Sequence, residues 1–300
     1  MPQLLDLVDG LSEGIGYRLL GEAPRDADAR RAAEELEQSY LSYLSDYRTM
    51  VRDGDRLIIM ASRALVQVAR SPADYEQVYH RILSQAQHPV ILHWLGDMFD
   101  PALAGYWGSN DLDRAMSTAL GIIAANAAKV DGIKISLLDK DKEITMRRGL
   151  PAEGGPDGQG VRMYTGDDFN YAELIAGDEQ GHSDALLGIF DSIAPAASAA
   201  LGALAANDKA TYHELLAPTV PLSRHIFKTP TRFYKTGVVF MAYLTGLQSH
   251  FTMIGGQEST RSTLHLAELF RLADAAGLLS DPEKAAARMR VVMATRGVDA

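Results

Sequence analysis

The stretch Val130–Ser136, VDGIKIS, decides the fold, because its isoleucines alternate with smaller or polar residues. In a β-strand, this alternation puts Ile133 and Ile135 on one face and Lys134 and Ser136 on the other. We expect the isoleucines to pack against a layer of helices. Lys134 would then point away from that layer, toward the inner face of the sheet.

Lys134 is the sharpest chemical signal in this strand. Lysine is seldom buried without a partner, and a desolvated ammonium has a lowered pKa that makes the amine nucleophilic. The alternative is that Lys134 pairs with a carboxylate such as Asp168 for structural reasons alone. Its position in the strand leaves both interpretations open.

Outward from this strand, short apolar runs alternate with helix-length amphipathic segments. The other runs are Arg56–Ser62, Pro89–Gly96, Val161–Thr165 and Ala185–Ser192, and the segments between them include Ser71–Gln87, Leu112–Lys129 and Phe169–Asp178. Such alternation is typical of a parallel sheet covered by helices. No glycine-rich fingerprint of an open dinucleotide-binding sheet follows the first run. The pattern therefore favours an α/β fold of the (β/α)8 TIM-barrel type.

The pattern also divides the chain into three segments. Residues 1–54 are predicted to be helical, residues 55–206 hold the barrel strands and helices, and residues 207–300 form a helical extension. The Gly/Pro-rich segment Pro151–Gly160 lacks the Gly-Lys-Ser/Thr ending of a phosphate loop, so we interpret it as a structural loop.

Composition excludes several classes of protein. The 300 residues carry a net charge of -10 and contain no cysteine. An acidic chain is a poor candidate for nucleic-acid binding, and the lack of cysteine excludes disulfides, thiolate metal sites and a cysteine nucleophile. No segment approaches the ~18 apolar residues that suggest a membrane helix, and no signal peptide is recognisable. We expect a cytoplasmic protein that binds neither nucleic acid nor membrane.

Polar side chains recur where the apolar runs end, and in barrels the carboxyl ends of the strands carry the functional residues. These residues are Ser62 and Arg63, His93 and Asp97, Lys134 and Ser136, Tyr164, Asp167 and Asp168, and Asp191 and Ser192. Strand ends border water under any function, so some of this polarity is expected without a site.

At these positions the chain resembles a known family. VDGIKIS is similar to the strand of the dihydrodipicolinate synthase and N-acetylneuraminate lyase superfamily that carries its Schiff-base lysine. Further matching segments, in the same order, are PVILHW (89–94), YTGDD (164–168), Ala185–Pro195, and the helical tail that begins with TPTRFYKTGVVF at Thr229. The resemblance runs from about Asp55 to about Leu279. HWLGDMFDPALAGYWG (93–108) is closer still to a dihydrodipicolinate synthase-like branch of that superfamily.

The resemblance implies roles for individual residues. Lys134 corresponds to the imine-forming lysine, and His93 stands where the family has a tyrosine that shuttles protons. Histidine can move protons near neutral pH, although a hydrogen-bonded core histidine is the alternative. Tyr164 or Ser136 would assist His93. The candidate substrate-binding residues are Ser62, Arg63, Ser136, Gly166, Asp167, Asp168 and Asp191. Ser62 and Arg63 stand where the family has paired tyrosines, and Arg63 is a candidate to hold a substrate carboxylate.

The implied function is that of a class I lyase or aldolase. Lys134 would form a Schiff base with a 2-keto acid or sugar-derived keto acid for C–C cleavage, condensation or dehydration, without a cofactor. Relatives of this kind commonly form homo-oligomers, so we expect the same here. The loop Asp97–Ser109 is either part of a substrate lid or an ordinary packed loop.

Two departures from the family leave other functions open, namely His93 in place of the tyrosine and the unrecognised first strands. The three strands that the family has before Arg56–Ser62 are not recognisable in residues 1–54, and we expect a missing N-terminal segment. One alternative is a metal-dependent barrel with ligands among His93, Asp167, Asp168, His182 and Asp184. The other is a barrel-derived binding protein without catalysis.

Overall fold

The structure is a computed structural model that describes residues 57–298, and the predictions for residues 1–54 lie outside this range. The described residues form an α/β fold with five β-strands and eleven α-helices. The strands are β1 Ile58–Ile59, β2 Val90–Leu95, β3 Val130–Ser136, β4 Arg162–Thr165 and β5 Asp184–Ala185. The helices are α1 Arg63–Val68, α2 Pro72–Gln85, α3 Leu112–Ala125, α4 Lys140–Gly149, α5 Tyr171–Ala176, α6 Phe190–Ala205, α7 Lys209–Leu216, α8 Thr219–Phe227, α9 Tyr234–Thr245, α10 Thr263–Ala275 and α11 Pro282–Thr295.

The five strands form one sheet whose spatial order follows the chain, β1-β2-β3-β4-β5. β1 runs parallel to β2, and β2 runs parallel to β3. In the β2–β3 register His93 lies beside Lys134, and Leu95 lies beside Ser136. The prediction of an α/β protein with a parallel sheet is confirmed.

The described chain divides into two units, residues up to 137 with 141–164, and residues 138–140 with those from 165 onward. The core of the first unit joins the helices α2 and α3 to β2 and β3. Ile133 and Ile135 belong to this core, as the alternation predicts. Trp107 is fully buried there, and its ring centroid lies 4.7 Å from that of Tyr79.

Sequence signals at the helix starts explain why these helices begin where they do. Ser71 and Asp74 form a capping box at the start of α2, with Pro72 in its first turn. Asp111 caps α3 by accepting hydrogen bonds from the backbone N–H groups of Asp113 and Arg114. Both α2 and α3 therefore start directly after a polar cap.

The second unit is mainly helical. Its packed pairs include α6 with α7, α8 with α10, and α9 with α11. Ile226, Phe240 and Leu269 are fully buried in these helices. Within residues 57–298, no helix combines the length and the apolar character needed to cross a membrane.

Two local predictions differ from the structure, and one helix was not predicted. The run predicted as a strand at Ala185–Ser192 forms only the two-residue β5, and helix α6 already begins at Phe190. A kink at Ile193, where φ is -123°, accommodates Pro195 inside that helix. The first predicted run ends at Ile59 as a strand, so Ser62 and Arg63 lie at the start of α1 instead. Helix α4 was not predicted, because KDKEITMRRG has almost no apolar face.

Candidate functional site

The carboxyl ends of β2 and β3 bring three of the predicted site residues together in the first unit. His93 and Lys134 are register partners on adjacent strands, whose backbones lie about 4.8 Å apart. Ser136 follows on the same face of β3 as Lys134. Their neighbours Leu92 and Ile133, with the opposite orientation, belong to the helix-covered core. His93, Lys134 and Ser136, here called the lysine–histidine cluster, therefore share the face opposite to that core.

The hydrogen bonds of His93 define its tautomer. Nδ1 lies 3.0 Å from the sulfur of Met60, and Nε2 lies 3.1 Å from Oγ of Ser136. A thioether sulfur carries no hydrogen, so Nδ1 is the nitrogen that donates. In the neutral ring, Nε2 then accepts a hydrogen bond from the Ser136 hydroxyl. The basic nitrogen of His93 is thus connected through Ser136 to the lysine-bearing strand.

Burial keeps the His93 ring neutral. The residue is 4% exposed, and burial, together with the positive charge of Lys134, lowers its pKa from 6.5 to about 3. His93 is therefore not a resident acid near neutral pH, but a neutral hydrogen-bonding group and weak base. Because the charge of Lys134 contributes to the lowered pKa, deprotonation of Lys134 makes His93 a better proton acceptor.

Tyr164 lies against the same strand, but its hydroxyl is already bound. The ring occupies the space above Gly132, where an added Cβ would come within 2.5 Å of it. The phenol donates to the buried carboxylate of Asp131 at 2.5 Å, and Arg162 lies 3.5 Å from the same carboxylate. Gly132 is thus needed for this close approach. Sequence reasoning missed Asp131, although an acidic residue inside a buried strand was a signal that it needs a partner.

Ser62 and Arg63 have structural partners. The Ser62 hydroxyl caps α1 by accepting from the backbone N–H of Leu65 at 3.1 Å. Its backbone N–H donates to the hydroxyl of Tyr106 at 3.1 Å. The Arg63 side chain is 67% exposed and forms an ion pair with Asp100. Both side chains thus serve local structure, whereas the His93 ring and the Ser136 hydroxyl bind each other.

The loop Asp97–Ser109 is packed into the first unit. Tyr106 and Trp107 are buried in its core, and the two rings lie 5.0 Å apart. Asp100 caps a short 3-10 turn at Pro101–Leu103 by accepting from the N–H of Ala102. These contacts favour the ordinary packed loop over the lid.

The acidic residues after β4 lie in the second unit, and their carboxylates accept hydrogen bonds from backbone N–H groups. Asp167 accepts hydrogen bonds from the N–H groups of Phe169 at 2.7 Å and Asn170 at 3.0 Å, and from the Asn170 side chain at 2.9 Å. Asp168 accepts from the N–H of Ile189 at 2.7 Å. We call Asp167 and Asp168 the carboxylate cluster. Gly166 is buried beside them in the chain, whereas Asp191 is exposed in the first turn of α6.

The residues suggested as metal ligands are not gathered into a site. Across residues 57–298, no three His, Asp or Glu side chains are arranged to hold a metal ion. His182 and Asp184 form an exposed contact of 3.6 Å between Nε2 and Oδ1. The geometry of the described residues thus gives the metal-dependent alternative no ligand set.

Comparison with known proteins gives a family. A search of curated proteins found no match to the chain. The family described as "Protein of unknown function (DUF993)" matches residues 15–298, which is most of the sequence. The chain therefore belongs to the DUF993 family.

Proposed function

We propose that this protein is a class I lyase or aldolase in which Lys134 forms a Schiff base with a 2-keto acid or a sugar-derived keto acid. The observation that carries the proposal is the pairing of Lys134 with a buried, neutral histidine at the carboxyl ends of β2 and β3. The resemblance of VDGIKIS and its neighbouring motifs to the dihydrodipicolinate synthase and N-acetylneuraminate lyase superfamily supports the same chemistry.

We also infer that the sheet is part of a (β/α)8 barrel with a C-terminal helical extension. Its strand order follows the chain without reversal, whereas a doubly wound open sheet reverses its strand order at a switch point. Right-handed crossovers that always advance in one direction put every helix on one face. The other face then becomes a barrel interior, and that is the face that Lys134 and His93 share.

The chemistry requires an amine, a proton acceptor and a proton donor. The neutral Lys134 amine adds to the substrate carbonyl carbon, and the resulting carbinolamine loses its hydroxyl as water after taking up a proton. The iminium draws electrons from the neighbouring C–C or C–H bond, which can then break. A proton released at the adjacent carbon can pass to Ser136 and from its hydroxyl to Nε2 of His93, 3.1 Å away. Because His93 has a low proton affinity, the proton is readily returned from the ring to the product.

Reductive trapping tests this proposal. The full chain is incubated with a panel of 2-keto acids and sugar-derived keto acids in the presence of borohydride, and the intact mass and the modified peptide are measured. We expect a mass increase equal to the reduced keto-acid adduct, located on Lys134. Lys134→Ala and Lys134→Arg should abolish the adduct while the near-UV circular dichroism stays unchanged.

Lys129, in the turn directly before the same strand, offers a matched control. Its amine donates to the carbonyl oxygen of Ala86 at 2.8 Å. Lys129 is therefore a lysine close to β3 that has a structural role. Lys129→Ala should retain the adduct. An adduct that persists in the folded Lys134→Ala protein, or none with any member of the panel, would contradict the proposal.

A further inference from the structure

A basic cavity lies in the second unit at the start of helix α10. Its volume is about 400 Å³. Four of its residues are cationic or can become so, one caps the helix, and one is acidic. These residues, here called the basic cavity, are His225, Lys228, Arg261, Ser262, His265 and Glu268.

Arg261 places a buried positive charge beside this cavity. The residue is 5% exposed, and its guanidinium donates to the carbonyl oxygens of Lys228 at 2.7 Å and Pro230 at 3.0 Å. Its Nε has no hydrogen-bond partner. The partners of the guanidinium within residues 57–298 are neutral carbonyl groups, so its charge is not balanced by a carboxylate. A buried charge of this kind attracts an anion.

Two stacked histidines form one wall of the cavity. The rings of His225 and His265 lie 4.1 Å apart at an angle of 18°. Nε2 of His225 lies 2.8 Å from the carbonyl oxygen of His265, so it carries the hydrogen, and Nδ1 faces the Lys228 ammonium at 3.4 Å. His265 is 5% exposed, and neither of its ring nitrogens has a hydrogen-bond partner. Buried polar atoms normally have hydrogen-bond partners, and a bound ligand is one way to supply them.

The electrostatic environment of His265 is positive. Burial is the main cause that lowers its pKa to about 3, and the neighbouring His225, Arg261 and Lys228 lower it further. Of these neighbours, Arg261 and Lys228 carry the positive charge that raises the electrostatic potential at this point, because burial lowers the pKa of His225. A neutral His265 ring still offers one N–H donor, which suits an oxyanion.

The N-terminus of α10 adds backbone donors. Ser262 caps this 13-residue helix, and its hydroxyl accepts from the N–H of His265 at 3.2 Å. The first N–H groups of a helix have no acceptor within the helix and carry a partial positive charge. An anion at this end would therefore receive backbone hydrogen bonds as well as the charges of Lys228 and Arg261.

We propose that the basic cavity binds the phosphate group of a small phosphorylated molecule. Phosphate suits donors that converge from several directions, because it offers three or more acceptor oxygens around one centre. The cavity is larger than a phosphate ion requires and falls within the range of small-ligand sites, about 300–1,000 Å³. Glu268 provides an acceptor for a hydroxyl group of the attached organic part. This site is independent of the proposed Schiff base at Lys134.

Calorimetric titration of the full chain with inorganic phosphate and with glycerol phosphate tests the assignment. We expect both to bind, glycerol phosphate more tightly, and acetate to bind at least roughly tenfold more weakly. Lys228→Gln should weaken glycerol phosphate binding by roughly tenfold, because it removes one charge-assisted hydrogen bond. Lys209→Gln, at an exposed lysine of α7 outside the cavity, is the matched control and should bind normally.

A second measurement does not depend on a variant. In the protein labelled with 15N-histidine, phosphate should shift the ring resonances of His225 and His265 and leave that of His93 unchanged. The Lys134→Ala protein should bind phosphate normally, which separates this site from the Schiff-base chemistry. Absence of binding, binding that Lys228→Gln leaves unchanged, or capture only by anionic phospholipid vesicles would overturn the proposal.

Discussion

The lysine–histidine cluster and the carboxylate cluster look alike in the sequence but differ in what they bind. Both consist of polar residues at the ends of buried strands. His93 and Ser136 bind each other side chain to side chain, next to Lys134. Asp167, by contrast, accepts from two backbone N–H groups and from one amide of its own loop.

This difference has a physical origin. A carboxylate directly after a strand is well placed to accept from N–H groups two and three residues on, and so it shapes the turn. Imidazole and ammonium groups on a strand face do not serve nearby backbone in this way. Polarity at strand ends is therefore shared by turn-forming and reactive residues, and the type of side chain separates them better than its position does.

The largest expected effect comes from His93→Phe, which tests the reactive side of the comparison. With a keto acid that is trapped on Lys134, we expect turnover to fall by about 100- to 10,000-fold, because proton transfer loses its acceptor. Trapping of the imine should persist, since the lysine is unchanged. Steady-state rates and the yield of borohydride adduct measure the two effects separately.

His93→Gln is the control, because its amide can still bind Ser136 but does not titrate. It should show the turnover defect with a smaller loss of stability than His93→Phe. Normal turnover in either folded variant would show that His93 is a hydrogen-bonded core histidine without a part in proton transfer. Loss of trapping would show that His93 acts before the imine forms.

Asp167→Ala tests the structural side of the comparison. Removal of the carboxylate leaves the N–H groups of Phe169 and Asn170 without acceptors, and we expect the free energy of unfolding to fall by about 3 kcal/mol. Asp167→Asn retains one acceptor oxygen and should lose about 1 kcal/mol. Urea unfolding measures both. If Asp167→Asn were as stable as the original but lost imine trapping at Lys134, the carboxylate would belong to the reactive site and the comparison would fail.

A pH series sharpens the account of His93. Its pKa lies near 6.5 in the unfolded chain and at about 3 in the fold, so below pH 6.5 the unfolded state takes up a proton that the folded state does not. The free energy of unfolding should therefore fall as pH drops from 6.5 toward 3, by at most about 1.4 kcal/mol per pH unit for this one group.

His93→Gln removes this contribution, and the slope between pH 6.5 and 5.5 should be shallower in the variant. His265 has a pKa lowered to about 3 as well, so part of the slope should remain. Equal slopes in the two proteins would mean that the His93 ring takes up protons equally well when folded and unfolded.

The sequence predicted the strands most accurately where burial alone determines the pattern. Val130–Ser136 has the predicted bounds, and Val90–Leu95 lies within its predicted run. Helices with an apolar stripe, such as Leu112–Ala125 within the predicted segment Leu112–Lys129, were found for the same reason. Helix α4 was missed because its sequence is mostly charged, and β5 was overestimated because an apolar run does not reveal where a helix begins.

The candidate site was predictable in its side chains but not in their partners. Alternation fixed the face of Lys134, and neighbouring strands made His93 a candidate. The contacts of Met60 with His93 and of Asp131 with Tyr164 depend on strand register and rotamers, which no local pattern encodes. The stacked pair His225 and His265 joins residues 40 positions apart and was equally invisible.

Arg63→Ala should have the smallest effect, and it tests whether a polar residue near a strand end belongs to either cluster. The side chain is 67% exposed and paired with Asp100, and an exposed ion pair stabilises a fold by about 0 to 1 kcal/mol. We expect the free energy of unfolding to change by less than about 1 kcal/mol and the yield of adduct on Lys134 to stay the same. Asp100→Asn is the matched variant, because it removes the ion pair and retains the polar group that caps the following turn. A large rise in the keto-acid concentration needed for trapping in Arg63→Ala, but not in Asp100→Asn, would show that Arg63 leaves Asp100 to hold the substrate carboxylate. Position in the sequence would then have identified a functional residue that its resting contacts conceal.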